Sequence, residues 1–295
     1  MNLRLKVAIG SIGVGLVVLA LKYAAYRLTG SVALYSDALE TVVNVASSIA
    51  ALIAIWFASK PADSNHPYGH DKAEYFAAVL VGVMIALAAV SIFQAAWRGY
   101  LSDQSIIYSP LGLGINAFAA IINGTWAYVL LRVGKSSRSP VLVADGKHLL
   151  TDVITSIGVL LGVGLVVLTG WNRLDSILAA VVGLNVLWTG WQIVKESISG
   201  LMDEAASEDV QDQIRQLISN HGNGALEAHD LRSRIAGRVT FIDFHLVVPA
   251  DMTVNTAHDI CDRIEQAIGN SIPGAHVTIH VEPDHKAKHS GIVVL

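Results

Sequence analysis

Two groups of polar side chains, each spaced i, i+3 and i+7, interrupt long apolar stretches of the sequence. The members are Asp37, Glu40 and Asn44 in the first stretch and Asp145, His148 and Asp152 in the second. This spacing places each group along one face of an α-helix. Burying such groups in hydrocarbon is costly unless they pair, bind an ion or line water, so they indicate an ion or proton path. A buried polar lock between two helices is the alternative interpretation.

The side-chain types favour a divalent transition metal. Carboxylate oxygen, imidazole nitrogen and amide oxygen together suit zinc, manganese, iron or cobalt. The only cysteine, Cys261, excludes a disulfide within one chain and a site built from thiolates alone. Because a ligand must lose its proton to bind metal, metal and proton compete for the same atoms. We expect His148 and Asp152 to exchange protons, since imidazole titrates near neutrality.

The composition indicates a membrane protein with a more polar C-terminal region. Of 295 residues, 53% are hydrophobic and 15% are charged, with a mean hydropathy of +0.52. The apolar weight ends near residue 200, and the remainder reads as an ordinary soluble domain. We therefore predict a transmembrane domain with an ion path over residues 1–203 and a soluble domain over residues 204–295.

Six apolar stretches are about long enough to cross a bilayer as helices. They run over residues 6–28, 32–58, 74–97, 110–132, 140–169 and 175–199. Lys and Arg near the span ends number eight on the amino-terminal side and four on the other. The cytoplasmic side keeps the basic excess, so both termini are expected in the cytoplasm of a multi-pass inner (plasma) membrane protein.

Several short strings carry a family resemblance over nearly the whole chain. They are T-G-S-V at 29–32, S-D-A-L-E-T-V-V-N at 36–44, H-P-Y-G-H-D-K-A-E-Y at 66–75 and H-L-L-T-D at 148–152. In their order and spacing the chain resembles the cation diffusion facilitators. The resemblance implies a homodimer that exports a divalent metal ion in exchange for protons by alternating access. It also implies that the transported ion binds Glu40, Asn44, His148 and Asp152.

The chain departs from the family's common zinc pattern, which has Asp or His at the positions of Glu40 and Asn44. Asn44 offers only a neutral oxygen, so the site loses one formal charge. Asp37, one turn before Glu40, is a candidate fifth ligand that would favour a harder ion such as manganese or iron. A hydrogen-bonding role for Asp37 at the outer vestibule is the alternative.

A polar loop between the second and third spans contains Asp63, His66 and His70 after Pro61. Two histidines four residues apart with a nearby carboxylate are able to bind zinc, although a solvated loop is the simpler interpretation. The resemblance to the cation diffusion facilitators favours the metal interpretation, because relatives bind an additional ion at the positions that match Asp63, His66 and His70.

Two charged residues are singled out by the resemblance alone. It places Lys72 and Asp203 in a charge cluster that joins the membrane and cytoplasmic domains near the dimer interface. Composition alone would make both of them solvated surface charges.

The tail predicts a small α+β, ferredoxin-like domain with the element order αββαβ. The expected elements are a helix at 206–219, strands at 227–235 and 238–248, a helix at 253–268 and a strand at 275–282. Strand alternation puts Ile242 and Phe244 on one face. It leaves His245, His280 and Glu282 able to converge on the open face.

Eight of the eleven histidines lie from residue 221 onward, more than a solvated surface needs. Metal sensing is the sharper interpretation, and scattered surface histidines are the alternative. The resemblance matches regulatory ligand positions to His229, His245, His258, His280 and Glu282, with Glu282 in place of a more usual Asp. We assign the remaining histidines to the surface, namely His221, His276, His285 and His289.

Charge and motifs exclude other classes. From residue 204 onward the chain has seven Lys and Arg and thirteen Asp and Glu. This negative net charge disfavours nucleic acid and anionic lipid as partners of the tail. No H-E-x-x-H string of an intramembrane metalloprotease occurs, so we predict no enzyme. The prediction is a proton-coupled exporter of Zn, Fe, Mn or Co with zinc bound, and a passive metal channel or a membrane-anchored metal sensor is the alternative.

Overall fold

The computed structural model describes residues 3–29, 32–102, 109–171 and 173–293, apart from some side chains in the helices. The chain divides into two compact units, Met1–Ile198 and Ser199–Leu295. This division falls a few residues before the boundary that the sequence predicts.

The first unit is a bundle of six long helices. They are α1 Leu3–Thr29, α2 Val32–Ala58, α3 Ala73–Ser102, α4 Pro110–Ser136, α5 Pro140–Thr169 and α6 Arg173–Leu201. Each has 27 to 30 residues, or roughly 40–45 Å at 1.5 Å per residue, more than the hydrocarbon core requires. Within the described residues, α1, α3 and α4 meet the length and hydropathy expected of a membrane span. The predicted all-α architecture of six long helices is confirmed.

Two helices start at proline, where the missing N–H costs nothing. The Ser109 side chain caps α4 by accepting from Gly112 N at 3.3 Å. At α5, Ser139 precedes the proline but does not cap the helix with its side chain. The Ser139 carbonyl accepts the first helical bond from Val143 N at 3.2 Å, but its hydroxyl donates to Glu74. Ser139 therefore joins two elements instead of capping its own helix.

Glycines let the helices approach closely, as is common in membrane bundles. A Cβ on Gly134 of α4 would lie 2.9 Å from both the Val143 backbone nitrogen and its Cγ2 on α5. A Cβ on Gly82 of α3 would lie 3.0 Å from the Gly190 carbonyl oxygen on α6. These contacts bring the backbones of α4 and α5, and of α3 and α6, together.

The second unit has the predicted αββαβ order. Its elements are α7 Glu208–His221, β1 Glu227–Ala236, β2 Val239–Val248, α8 Val254–Ser271 and β3 Ala275–Pro283. A 3₁₀ turn at Asp284–Lys286 and a short strand β4 at Ile292–Val293 follow, and neither was predicted. The sheet order is β3-β2-β1-β4, in which β2 and β3 are parallel and the other pairs are antiparallel.

The helices of this unit cover one face of the sheet. Alternate residues of β2 lie in the core as predicted, namely Thr240, Ile242, Phe244, Leu246 and Val248. They are buried with isoleucines of both helices, including Ile214 and Ile264. The opposite face carries the histidines of β1, β2 and β3.

Candidate metal sites

The facing sides of α2 and α5 bring three of the predicted transport ligands into contact. Asn44, His148 and Asp152 are all at most 4% exposed. The Asn44 Nδ2 donates to Asp152 Oδ2, and the Asn44 Oδ1 accepts from His148 Nε2. One buried amide therefore bridges the imidazole and the carboxylate between α2 and α5.

These contacts define the imidazole's tautomer. An amide oxygen only accepts hydrogen bonds, so the proton that His148 shares with Asn44 lies on Nε2. His148 Nδ1 is buried with no hydrogen-bond partner among the described side chains. A nitrogen, an amide oxygen and a carboxylate thus converge from two helices, a donor set that suits a borderline divalent cation.

Asp37 and Glu40 are residues of α2. The structure describes their backbone but not their side chains. Their predicted roles as ligands therefore stay predictions.

A second buried carboxylate extends the polar face of α5. Asp145 is completely buried, one turn before His148, and both of its oxygens lie 3.5 Å from Ser48 Oγ on α2. Ser48 in turn follows Asn44 by one turn. A continuous column of polar groups therefore runs between α2 and α5 for at least two helical turns.

The loop before α3 brings its three predicted ligands together. Asp63 Oδ1 lies 3.3 Å from His66 Nδ1, and Asp63 Oδ2 lies 3.4 Å from His70 Nε2. The two imidazole centroids are 4.6 Å apart. The ligand atoms of the three residues all lie within 4.8 Å of one another, a spacing that one metal ion is able to span.

Local backbone geometry organises this loop. Asp63 Oδ1 accepts from Asn65 N at 2.9 Å and from His66 N at 2.7 Å. The His66 N–H is the main reason that the pKa of the Asp63 carboxyl lies below its ordinary value. Gly69 has φ of +88°, a conformation that is strained for residues with a side chain. The turn at Gly69 precedes His70, whose ring lies against Asp63. His70 is buried beside the edge of Phe57.

Three histidines stand side by side on the open face of the sheet. Strand register pairs His229 of β1 with His245 of β2, and His245 with His280 of β3. Glu282 lies two residues beyond His280 on the same face. Its carboxylate is 3.2 Å from His229 Nε2, 3.3 Å from His245 Nδ1 and 3.7 Å from His280 Nε2. The convergence expected from strand alternation is present, and His229 joins it. We call these four residues the sheet cluster.

The donor set of the sheet cluster fits zinc. Zinc takes four nitrogen, sulfur or oxygen ligands, and three imidazoles with one carboxylate match that demand. His229 Nε2 and His245 Nδ1 are buried without a hydrogen-bond partner among the described residues, although both face the Glu282 carboxylate. A cation held between them would satisfy all three groups. A cavity of about 260 Å³ lined by His245 and His280 opens beside them.

Two acidic residues beside the sheet cluster were not predicted from the sequence. Glu227 Oε1 is 3.1 Å from His229 Nδ1, and Asp230 is close enough to share an ion with His229 and His245. Burial opposes charge on Glu227, but backbone N–H donors from residues 288 and 289 outweigh it and hold the pKa of this carboxyl below its ordinary value. Glu227 was detectable, since residues i and i+2 of a strand share a face. Asp230 was not, because a bulge with φ of +53° turns it.

His258 lies on α8, apart from the sheet cluster, and its predicted role as a regulatory ligand stays a prediction. It is an exposed residue of α8, where its Nε2 is 3.6 Å from Asp262 Oδ1. The helices cover the face of the sheet opposite to the histidines, so His258 does not reach the cluster within one chain. The histidines assigned to the surface are all exposed, namely His221, His276, His285 and His289.

The two residues of the predicted charge cluster, Lys72 and Asp203, are described separately. Lys72 lies in the turn before α3. Asp203 follows α6 with φ of +63°, and its Oδ1 accepts from Arg234 Nη1 at 3.2 Å. Their grouping in one charge cluster stays a prediction.

Comparison with known families assigns both units. A family model described as the cation efflux transmembrane domain matches residues 8–202, and one described as the cation efflux protein cytoplasmic domain matches residues 206–284.

Individual proteins and structures match as well. The chain is 45% identical over 276 residues to the uncharacterized transporter sll1263 of Synechocystis, covering 94% of this chain and 89% of that one. It is 29% identical over 278 residues to the cation-efflux pump FieF of Shigella boydii, covering 94% and 92%. A structure of CzrB in its Zn form is 42% identical over 29% of this chain and 98% of that one, with a TM-score of 0.28. The metal-bound C-terminal domain of the CzcD transporter from Thermotoga maritima is 29% identical over 25% and 87%, with a TM-score of 0.24.

Proposed function

Since this chain belongs to the cation efflux family of membrane transporters, we propose that it exports a divalent first-row transition metal from the cytoplasm in exchange for protons. The observation that carries the proposal is the buried contact of Asn44 with His148 and Asp152 between α2 and α5. An amide, an imidazole and a carboxylate inside a lipid-spanning bundle are costly unless they handle ions.

Proton coupling follows from the chemistry of these ligands. A metal ion displaces any proton on the nitrogen or oxygen that binds it, and a proton returning to that atom weakens the metal's hold. His148 and Asp152 are the proposed exchangers. Inward-facing deprotonation favours capture of the metal, and outward-facing protonation favours its release. This cycle moves metal and protons in opposite directions.

The identity of the cargo depends on Asn44. A neutral amide oxygen at this position gives the site less negative charge than a carboxylate would. With Glu40 and Asp37 as the further proposed ligands, the site is richer in oxygen than in nitrogen. Such a set favours iron or manganese, and zinc and cobalt remain competitors.

Asp63, His66 and His70, here called the loop triad, and the sheet cluster are proposed as accessory sites that hold zinc. Each combines imidazole with carboxylate in a polar setting outside the helical bundle. We further propose a homodimer in the inner membrane with both termini in the cytoplasm. Metal in the tail sites of two chains would then bias the transport domains, provided that the ion binds one state more tightly. The match to the family's cytoplasmic domain supports the cytoplasmic placement of the tail.

Flux in proteoliposomes tests the proposal. The full chain is reconstituted, a pH gradient is imposed, and metal movement is followed with a trapped indicator, using zinc, iron(II), manganese and cobalt in turn. An antiporter accumulates metal against its gradient when protons run the other way. His148→Ala should abolish metal-driven proton flux, and His221→Ala, which removes an exposed imidazole of α7, should not. Flux that only dissipates the metal gradient would instead support a channel, and absence of flux with intact binding would support a sensor.

A further inference from the structure

The chain continues past the part that matches the family's cytoplasmic domain, which ends at residue 284. Residues 285–293, here called the strap, fold back onto the sheet. The strap ends in β4, where Ile292 pairs with Ala228 and Val293 pairs with Glu227. It therefore adds an edge strand next to the first residues of β1, immediately before His229.

The strap grips one buried side chain of β1. The Glu227 carboxylate accepts from the Lys288 backbone N–H at 3.2 Å through Oε1 and from the His289 backbone N–H at 2.9 Å through Oε2. Glu227 is only 6% exposed. The Lys288 ammonium lies 2.6 Å from Asp230 Oδ2 and anchors the strap to the neighbouring bulge. Both oxygens of Glu227 are thus fixed by the backbone.

Glu227 in turn fixes the ring of His229. Its Oε1 lies 3.1 Å from His229 Nδ1, and a carboxylate only accepts, so the proton lies on Nδ1. Neutral His229 then has its lone pair on Nε2. That atom is buried, has no hydrogen-bond partner among the described residues and lies 3.2 Å from Glu282 Oε2. Neutral Nε2 and the Glu282 carboxylate are both electron-rich, so either a proton or a metal ion between them stabilises this contact.

We propose that Glu227, held by the strap, is a positioning residue that keeps His229 in the Nδ1–H tautomer so that Nε2 binds a metal ion together with Glu282. Metal-binding histidines commonly donate their other N–H to a carboxylate, which orients the ring and raises its basicity. The inference rests on the proposed metal site in the sheet cluster. It adds a residue and a chain segment that contact no metal but determine how tightly the site binds it.

The geometry makes Glu227→Gln an informative substitution. If the glutamine oxygen faces His229 and Lys288, its NH₂ group faces the His289 N–H, so two donors meet. If the amide is flipped, its NH₂ group points at His229 Nδ1 and favours the wrong tautomer, with the proton on Nε2. Glutamine has the same size as glutamate, so loss of packing does not explain the effect.

The first measurement is zinc affinity of the full chain in detergent, by competition with a chromophoric chelator. A background carrying His70→Ala and Asp152→Ala removes the other proposed sites. Glu227→Gln should weaken zinc binding about 10- to 100-fold. Glu265→Gln, an exposed glutamate on α8, is the matched control and should change nothing. A chain ending at Pro283 lacks the strap and should lose a similar factor.

The second measurement needs no metal. Nitrogen NMR shifts of the labelled His229 ring report which nitrogen carries the proton, and a merely structural role for Glu227 would not move them. The native chain should show Nδ1–H, and both Glu227→Gln and the shortened chain should shift toward the other tautomer. Combining the two changes should add little further loss of affinity, because they remove the same contact.

The outcomes separate the two proposals. A native His229 ring that lacks the Nδ1–H tautomer, unchanged zinc affinity in Glu227→Gln, or fully additive losses would overturn the positioning role. If His245→Ala leaves zinc binding in the same background unaffected, the sheet cluster is not the metal site, and the proposed accessory function fails instead.

Discussion

Arg4 and Glu74 form an ion pair in which Nη1 and Oε1 are 2.5 Å apart, with the two side chains only 4% and 2% exposed. The other oxygen of Glu74 accepts the Ser139 hydroxyl. One carboxylate therefore ties the start of α1, the first turn of α3 and the residue before α5 to one another. The loop triad precedes the first turn of α3 in the sequence, so it lies near this junction along the chain.

Replacing Glu74 by Gln should destabilise the transport unit by about 3–5 kcal/mol, because it leaves the buried Arg4 without a counter-charge. Glu196→Gln is the matched control, since its ion pair with Lys147 is similarly short, at 2.6 Å, but exposed, and such pairs contribute about 0–1 kcal/mol. Thermal unfolding of both variants in the same detergent measures the difference. Equal shifts in Tm would contradict the buried pair's role.

Gly82→Ala should disturb the crossing of α3 and α6. The added Cβ would lie 2.7 Å from Val194 Cγ2 and 3.0 Å from the Gly190 carbonyl, and overpacking of this kind costs about 1–3 kcal/mol. Gly13→Ala on α1 is the control, because among the described residues no atom beyond the local backbone of α1 lies within 4 Å of the added Cβ. A lower Tm and reduced flux are expected for the first variant only. Comparable behaviour of the two would show that the close contact is unimportant.

Asn44→Asp should tighten zinc binding and steepen its pH dependence. The native amide donates to Asp152, whereas an aspartate would place a second carboxylate there, and the two would repel each other unless a proton or cation lies between them. We expect about a tenfold gain in zinc affinity, equivalent to about 1.4 kcal/mol, relative to manganese. Competitive binding to the purified chain at two pH values measures both effects. Unchanged selectivity would remove Asn44 as a determinant of the cargo.

Asp63→Asn should weaken metal binding at the loop triad throughout the range from pH 5 to 8. The His66 N–H lowers the pKa of the Asp63 carboxyl, so the native side chain stays charged above the ordinary aspartate range, and its contribution is lost only as pH falls through that lowered value. The substitution therefore removes a charge without moving the pH midpoint. A titration of the full chain with zinc at several pH values checks this, and a shifted midpoint would assign the titration to Asp63.

His245→Ala should remove the central imidazole of the sheet cluster. Because this imidazole is a proposed direct ligand, zinc affinity should fall by at least about tenfold. His276→Ala provides the control, because this exposed residue of β3 contacts Phe241 on the neighbouring strand, with ring centroids 5.5 Å apart. Zinc binding measured in the His70→Ala and Asp152→Ala background distinguishes them. Equal affinities would contradict the assignment of the cluster.

Sequence patterns were sufficient for the elements and for part of the sites. Long apolar runs predicted six helices, because hydrocarbon demands them, and period-two alternation put His245, His280 and Glu282 on one face. Contacts made across the chain were beyond such patterns. The Ser139 hydroxyl bonds Glu74 instead of its own helix, and His229 depends on a strap whose pairing with β1 no local signal encodes. The bulge that turns Asp230 likewise depends on its partner strand.

The single cysteine, Cys261, is 4% exposed inside the core of the second unit. None of the candidate sites therefore contains a thiol, and peroxide or disulfide exchange has no sulfur to attack at them. Metal handling by this protein should persist under oxidative stress that disables thiolate-based metal proteins. For the experimentalist, the same feature leaves the surface clear for engineered cysteines carrying fluorescent or spin probes, with which movement of α2 against α5 becomes measurable.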